Sequence, residues 1–124
     1  PAKEAPTEQD FTKTITPDPV LLFRYSALTY NGHRIHYDRT YATEEEFYSA
    51  LVVHGPLLVT LLLELQRENL AGKALKKFKF RAVRPTFDNH VFNVSGKRDG
   101  NALSLWSSDQ DNALCMTVKA ELSD

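Results

Sequence analysis

Apolar residues crowd most densely in residues 55–72, GPLLVTLLLELQRENLAG, where the pattern changes half-way along. Leu57, Leu58, Val59, Leu61, Leu62, Leu63 and Leu65 put apolar side chains on nearly every side of a helix, so this half has to be surrounded by the rest of the fold. The second half turns polar at Gln66, Arg67, Glu68 and Asn69, and Gly72 supplies a stop. The stretch predicts a helix of roughly 16 residues, about 24 Å long. Upstream, FTKTIT at residues 11–16 alternates with β-branched residues and predicts a short strand ended by the Pro17-Asp18-Pro19 turn. Asp18 before Pro19, followed by Val20, Leu21, Leu22 and Phe23, predicts a helix start and one or two turns ending near Ser26. Thr43 with Glu46 resembles a capping box, so the part after Asp38 reads as a loop or short helix. Beyond Gly72 the period changes to two. Residues 77–83, 90–97, 102–107 and 113–122 read as four strands, separated by turns at Asp88-Asn89, Asp99-Gly100 and Asp111-Asn112.

One strand, a long buried helix and four strands in an antiparallel meander make an α+β chain in which a curved antiparallel sheet wraps a helix, the arrangement called a hot-dog fold. Residues 1–10, PAKEAPTEQD, have the composition of a linker or disordered N-terminus, and residues 11–124 are expected to form a single domain. At 124 residues, 42% hydrophobic and 25% charged, the chain has enough material for one modest core. The sole methionine is Met116 and the first residue is Pro1, which leaves room for a longer parent chain.

Charge and cysteine content narrow the partners. Fifteen basic and sixteen acidic residues give a net charge of −1 and no global field for nucleic acid or an anionic membrane. The basic row Lys77, Lys79 and Arg81 reads as the solvated face of an edge strand and lacks aromatics on its own face, so no nucleic acid is expected. No apolar run reaches the roughly 18 residues of a membrane span, so no membrane partner is expected either. Cys115 is alone, excludes an intrachain disulfide and reads as a core residue, which favours a reducing compartment, the cytoplasm or the mitochondrial matrix.

Candidate chemistry concentrates in two short stretches. Residues 30–38, YNGHRIHYD, bring two histidines, an asparagine, an arginine and an aspartate together around Gly32. Residues 51–58, LVVHGPLL, set His54 and a Gly-Pro pair at the mouth of the apolar helix. His33, His36 and Asp38 lack any known zinc spacing, so no metal site is expected.

Together FRYSALTYNGHRIHYDRTYA and LVVHGPLL resemble the MaoC-like (R)-specific enoyl-thioester hydratases and 3-hydroxyacyl-thioester dehydratases, closely over residues 23–85 and loosely beyond. The branch they resemble includes mitochondrial 3-hydroxyacyl-thioester dehydratase and itaconyl- or mesaconyl-CoA hydratases. The wider motif of that family runs Asp-x-Asn-Pro-x-His-x-Asp. With His36 and Asp38 on its last two fixed positions, Asn31 stands where the catalytic Asp usually stands, His33 on the Asn and Arg34 on the Pro. An amide takes no proton at neutral pH, so a two-base mechanism would need another group. The resemblance implies reversible hydration of an enoyl thioester, or dehydration of a 3-hydroxyacyl thioester, with His36 as acid and base in turn. Asn31 would position the water or hold the imidazole in one tautomer. Gly55, at the positive end of the helix, would offer its amide to the thioester oxygen, with His54 beside it as substrate contact or simple helix cap.

Tyr30, His33, Arg34 and Arg84 are the remaining substrate-contact candidates, the arginines because a guanidinium forks onto carboxylate or phosphate. His33 reads equally well as packing, and each single arginine, Arg39 included, reads more simply as an exposed loop residue. No metal or redox cofactor is implied, and coenzyme A or acyl carrier protein enters only as part of the substrate, with Lys77, Lys79 and Arg81 as candidates to attract its phosphates. This family pairs two hot dogs, in a homodimer or in one double-length chain. Two further readings stay open. One is a hot-dog thioesterase, for which Asp38 and Glu44 to Glu46 are the nearby carboxylates; the other is a catalytically weak partner subunit or acyl-thioester-binding module, marked by Asn31.

Overall fold

The computed structural model describes residues 1–124. Strand β1 (Phe11–Ile15) leads through Pro17 to helix α1 (Pro19–Leu28), which Asp18 caps by accepting the amide of Leu21 at 2.9 Å. A 3-10 turn at Arg34–His36 and a π-turn at Tyr41–Glu45 follow, then helix α2 (Gly55–Asn69). Thr43 is no helix cap: its hydroxyl donates to the carbonyl of Arg39 inside the turn. The residue that opens this turn is Asp38, which accepts the amide of Tyr41 at 3.1 Å.

Strands β2 (Leu75–Ala82), β3 (Phe92–Asp99), β4 (Ala102–Ser108) and β5 (Leu114–Leu122) join β1 in one antiparallel sheet of order β1-β3-β4-β5-β2. The sheet wraps α2, which packs on β1, β3, β4 and β5, and this is the hot-dog arrangement. Leu57, Leu58, Val59, Leu62 and Leu65 of α2 are buried in a core with Phe92, Val94, Leu105, Met116 and Val118.

The expected four-strand meander is corrected by this topology. Only β3, β4 and β5 follow one another, joined by tight turns in which Gly100 (φ 61°) and Asn112 (φ 58°) adopt left-handed backbone. Strand β2 lies at the far edge beside β5. The cause lies in Asp88, which the sequence marks as a hairpin turn residue. Asp88 is buried, accepts the Leu51 amide at 3.2 Å and pairs with Arg39 at 2.7 Å, while its own amide donates to the Leu51 carbonyl. Residues 83–91 thus run back across the fold and bridge at Phe87 to Val52. A buried carboxylate held by an arginine is a tertiary tie, and its local spelling is that of a turn.

Residues 1–10, with the composition of a linker, are held at three points. The amide of Ala5 donates to the carbonyl of Asn112, Lys3 accepts from Leu114, and Arg98 donates its amide to Asp10. Ala5 packs with Trp106 and Leu114 in a small satellite core. Cys115 is buried and free. No helix is long and apolar enough to cross a membrane.

Where β1 crosses β3, Gly96 faces Phe11, and a Cβ built on Gly96 would come within 2.4 Å of the Phe11 ring and 2.8 Å of Leu105. Gly96→Ala is therefore expected to cost about 1–3 kcal/mol by overpacking. Urea unfolding would show it as a lower midpoint at unchanged slope.

Candidate active site

The buried run Leu51, Val52, Val53 and His54 delivers the chain into α2 and carries the site with it. Val52 holds the Arg34–His36 turn from both sides. Its amide donates to the Ile35 carbonyl at 3.0 Å, and its carbonyl accepts from Nδ1 of His36 at 2.7 Å. A carbonyl has no proton to give, so Nδ1 carries the hydrogen and Nε2 of neutral His36 presents its lone pair. His36 lies flat against His54, with ring centroids 3.8 Å apart and planes 16° from parallel. Nε2 of His54 is 2.7 Å from Oγ of Ser26, and Tyr25 meets the same ring edge-on at 4.7 Å. Immediately after His54, Gly55 opens α2 with an amide that makes no hydrogen bond within the chain, and Pro56 contributes no N–H at all.

Asn31 accepts the amide of His33 at 3.1 Å and donates its own amide to the carbonyl of Ser26 at 2.9 Å. It shapes the loop, and the tautomer of His36 is set by Val52, correcting the expectation that the Asn31 side chain holds the ring. His33 stands edge-on to His36 at 5.9 Å and meets Glu46 at 3.1 Å. Arg34 forks onto Asp38 at 2.8 and 3.1 Å and covers the Tyr41 ring, so its guanidinium is already engaged. Tyr30, with φ 53° and 96% exposed, lines an open groove of about 430 Å³ together with Phe23, Ser26, Asn31 and Tyr37.

Arg84 is not gathered with these groups. It lines a separate polar cavity of about 200 Å³ with Thr86, Asn89, His90, Asp109 and Asp111. His33, His36 and Asp38 do not converge, and no three His, Cys, Asp or Glu side chains are grouped to hold a metal ion. Of the carboxylates a thioesterase would use, Asp38 is committed to Arg34 and the Tyr41 amide and Glu46 to His33. Sequence reasoning missed Ser26. Its signal is faint but present: Leu22 and Ser26, four apart, are the two buried residues of α1, and a hydroxyl on the inward stripe of a short helix needs a partner.

The chain matches the model of the family described as hydroxyacyl-thioester dehydratase type 2 over residues 1–88. It is 43% identical over 122 residues to mesaconyl-C(4)-CoA hydratase of Chloroflexus aurantiacus, covering 98% of this chain and 43% of that protein. It is 45% identical over 93 residues to the mitochondrial hydroxyacyl-thioester dehydratase type 2 of Schizosaccharomyces pombe, covering 73% of this chain and 30% of that one. The chain therefore spans less than half the length of both curated relatives. Among solved structures, an (R)-hydratase from A. caviae involved in PHA biosynthesis superposes with a TM-score of 0.75 at 20% identity, over 94% of this chain and 96% of that one. At that identity the likeness speaks for the fold.

Burial dominates the protonation of the stacked pair. It lowers the pKa of His36 against the opposing pull of the Val52 carbonyl, and nearby His33 lowers it further. Burial, with the charge of His36 second, lowers that of His54 to about 4. Asp38 sits below the usual carboxylate range because of the Tyr41 amide and then Arg34. Both site histidines are neutral in the fold and bind protons more readily when unfolded. Their contribution to stability is complete above the unfolded value of about 6.5 and is lost as pH falls through the lower folded values. Between pH 7 and pH 4 the unfolding free energy from urea titrations is expected to drop by on the order of 3 kcal/mol on account of His54 alone. His54→Gln should flatten the slope in that window.

Proposed function

The chain belongs to the hydroxyacyl-thioester dehydratase type 2 family, and from that premise we propose that it hydrates an enoyl thioester reversibly, using His36 as the sole acid and base. The observation that carries this reading is the tautomer of His36, fixed at Nδ1 by Val52 with Nε2 free, one ring away from the unbonded Gly55 amide. In the hydration direction Nε2 removes a proton from water while the water oxygen bonds to the β-carbon of the enoyl group. The electron pair of the double bond moves toward the thioester carbonyl, whose oxygen gains charge opposite the Gly55 amide and the positive end of α2. The imidazolium then returns its proton to the α-carbon, and His36 is neutral again. Dehydration runs the same steps backwards. Asn31 gives the loop its shape and carries no proton.

The acyl group is carried by coenzyme A or an acyl carrier protein, and the groove beside Tyr30 and Phe23 is the open apolar surface next to the site. A second hot-dog unit, a copy of this chain or a further domain, would complete the site. Two surfaces support a partner: edge strand β2, where Phe78 and Phe80 are 45% and 56% exposed, and the outer face of α1 with Val20, Phe23 and Leu28. Residues 11–124 are then one unit of the pair. A buried free Cys115 suits the cytoplasm or the mitochondrial matrix.

The test follows loss of the ultraviolet absorbance of the conjugated thioester with crotonyl-, mesaconyl- and longer enoyl-CoAs. The wild type is expected to consume at least one of them, and His36→Ala to lose about 10²-fold or more in kcat. No turnover by the wild type on any substrate would shift the assignment to a binding module or half-site, consistent with Asn31 in place of a second base. Light scattering is expected to give a mass above 14.1 kDa for the isolated chain, and Phe80→Lys to lower it toward that value.

A further inference from the structure

Among the buried polar groups packed around His36, hydration leaves Ser26 and His54 without a task. Their placement is specific. Ser26 comes from α1 and His54 from the run before α2, and the 2.7 Å bond between Oγ and Nε2 is the only hydrogen bond that the His54 ring makes. Nδ1 of His54 is buried without a partner. A phenylalanine or leucine would fill the same space with no stranded nitrogen, so packing alone gives no reason for a histidine there. What the ring does touch is the face of His36, at 3.8 Å and nearly parallel.

We propose that Ser26 and His54 form a positioning pair for the acid-base group: the Ser26 hydroxyl fixes the plane of the His54 ring, and that ring, stacked on His36, keeps the imidazole dry and aimed in one direction. The proposal rests on the reading of His36 as the acid and base. Val52 anchors one edge of His36, and a flat ring against its face limits the rocking about the side-chain torsions that this single bond leaves. Two imidazoliums face to face would repel, so the arrangement requires His54 to stay neutral, as its burial ensures. The other titratable groups facing the pair are Tyr25 from α1, His33 from the preceding loop and, through its bond to His33, Glu46.

The experiment compares Ser26→Ala, His54→Ala and His54→Phe. One readout is the NMR titration of the His36 ring without substrate; the others are kcat, KM and the acid limb of the kcat/KM profile for hydration. His54→Ala opens the face of His36 to water, so its titration and the acid limb are expected to move up by about half a pH unit or more. His54→Phe keeps the face covered, so the limb stays while kcat falls by about tenfold as the anchored ring is lost. Ser26→Ala is expected to lower kcat by a similar factor, about tenfold, with KM within about twofold of the wild type. Wild-type kcat in Ser26→Ala overturns the proposal, and so does an unmoved His36 titration in His54→Ala. If the His54 variants do not fold, Ser26→Ala decides alone. If the wild type turns over no enoyl thioester, the assigned reaction fails, and the substrate-free titration still decides whether His54 governs the state of His36.

Discussion

Everything in the site hangs on one residue that has no functional side chain. Val52 uses both of its peptide groups on the Arg34–His36 turn, its amide on Ile35 and its carbonyl on the ring of His36. The run that contains it is itself pinned, at Leu51 by Asp88 and at Val53 by the carbonyl of Thr86. The imidazole is thus referenced, through the Val52 carbonyl, to the crossing segment 83–91 on one side and to the start of α2 on the other. Backbone bonds buried in a packed region exchange with water slowly and vary little in length, which suits a group that must hold an orientation.

That construction explains why the polar loop can be so exposed. Arg34, Asp38, His33 and Glu46 satisfy one another at the surface, and exposed ion pairs of this kind contribute little to stability. The apolar helix plays the opposite part. The sheet covers one face of α2 and leaves Leu61 and Leu63 half-buried, so the helix is not enclosed on every side as its apolar first half implied. The packed face still holds its first turn in one place, with the unbonded Gly55 amide next to the stacked rings.

The sequence makes the strongly periodic parts legible: α2, the Asp18 cap, the late strands and their glycine turn follow from local spacing, which the fold respects. Asp88 shows where local spelling stops. Its acceptor oxygens serve Arg39 and Leu51, residues far away in the chain, and nothing adjacent to it distinguishes that use from a turn. The place of β2 was hidden for the same reason, since strand order is decided by which edge remains open after α2 has crossed the sheet. In the site, the rings of His36 and His54 stack beside Gly55, whereas Arg84 lies in another cavity because chemical type does not report direction. Ser26 escaped notice because a serine at a helix end is ordinarily a solvated residue, and only its inward phase with Leu22 says otherwise.

The pairing of β1 with β3 sets an order of events during synthesis. Phe11 lies opposite Gly96 and Ile15 opposite Phe92, so β1 leaves the ribosome 77 to 85 positions ahead of the residues it pairs with. Closing so long a loop is entropically unfavourable until the partner strand is itself held in place. Strand β1 is therefore expected to dock late, onto a β3–β4–β5 ribbon assembled from local hairpins, and until it does, the edge of β3 and the flank of α2 that it covers stay open to solvent.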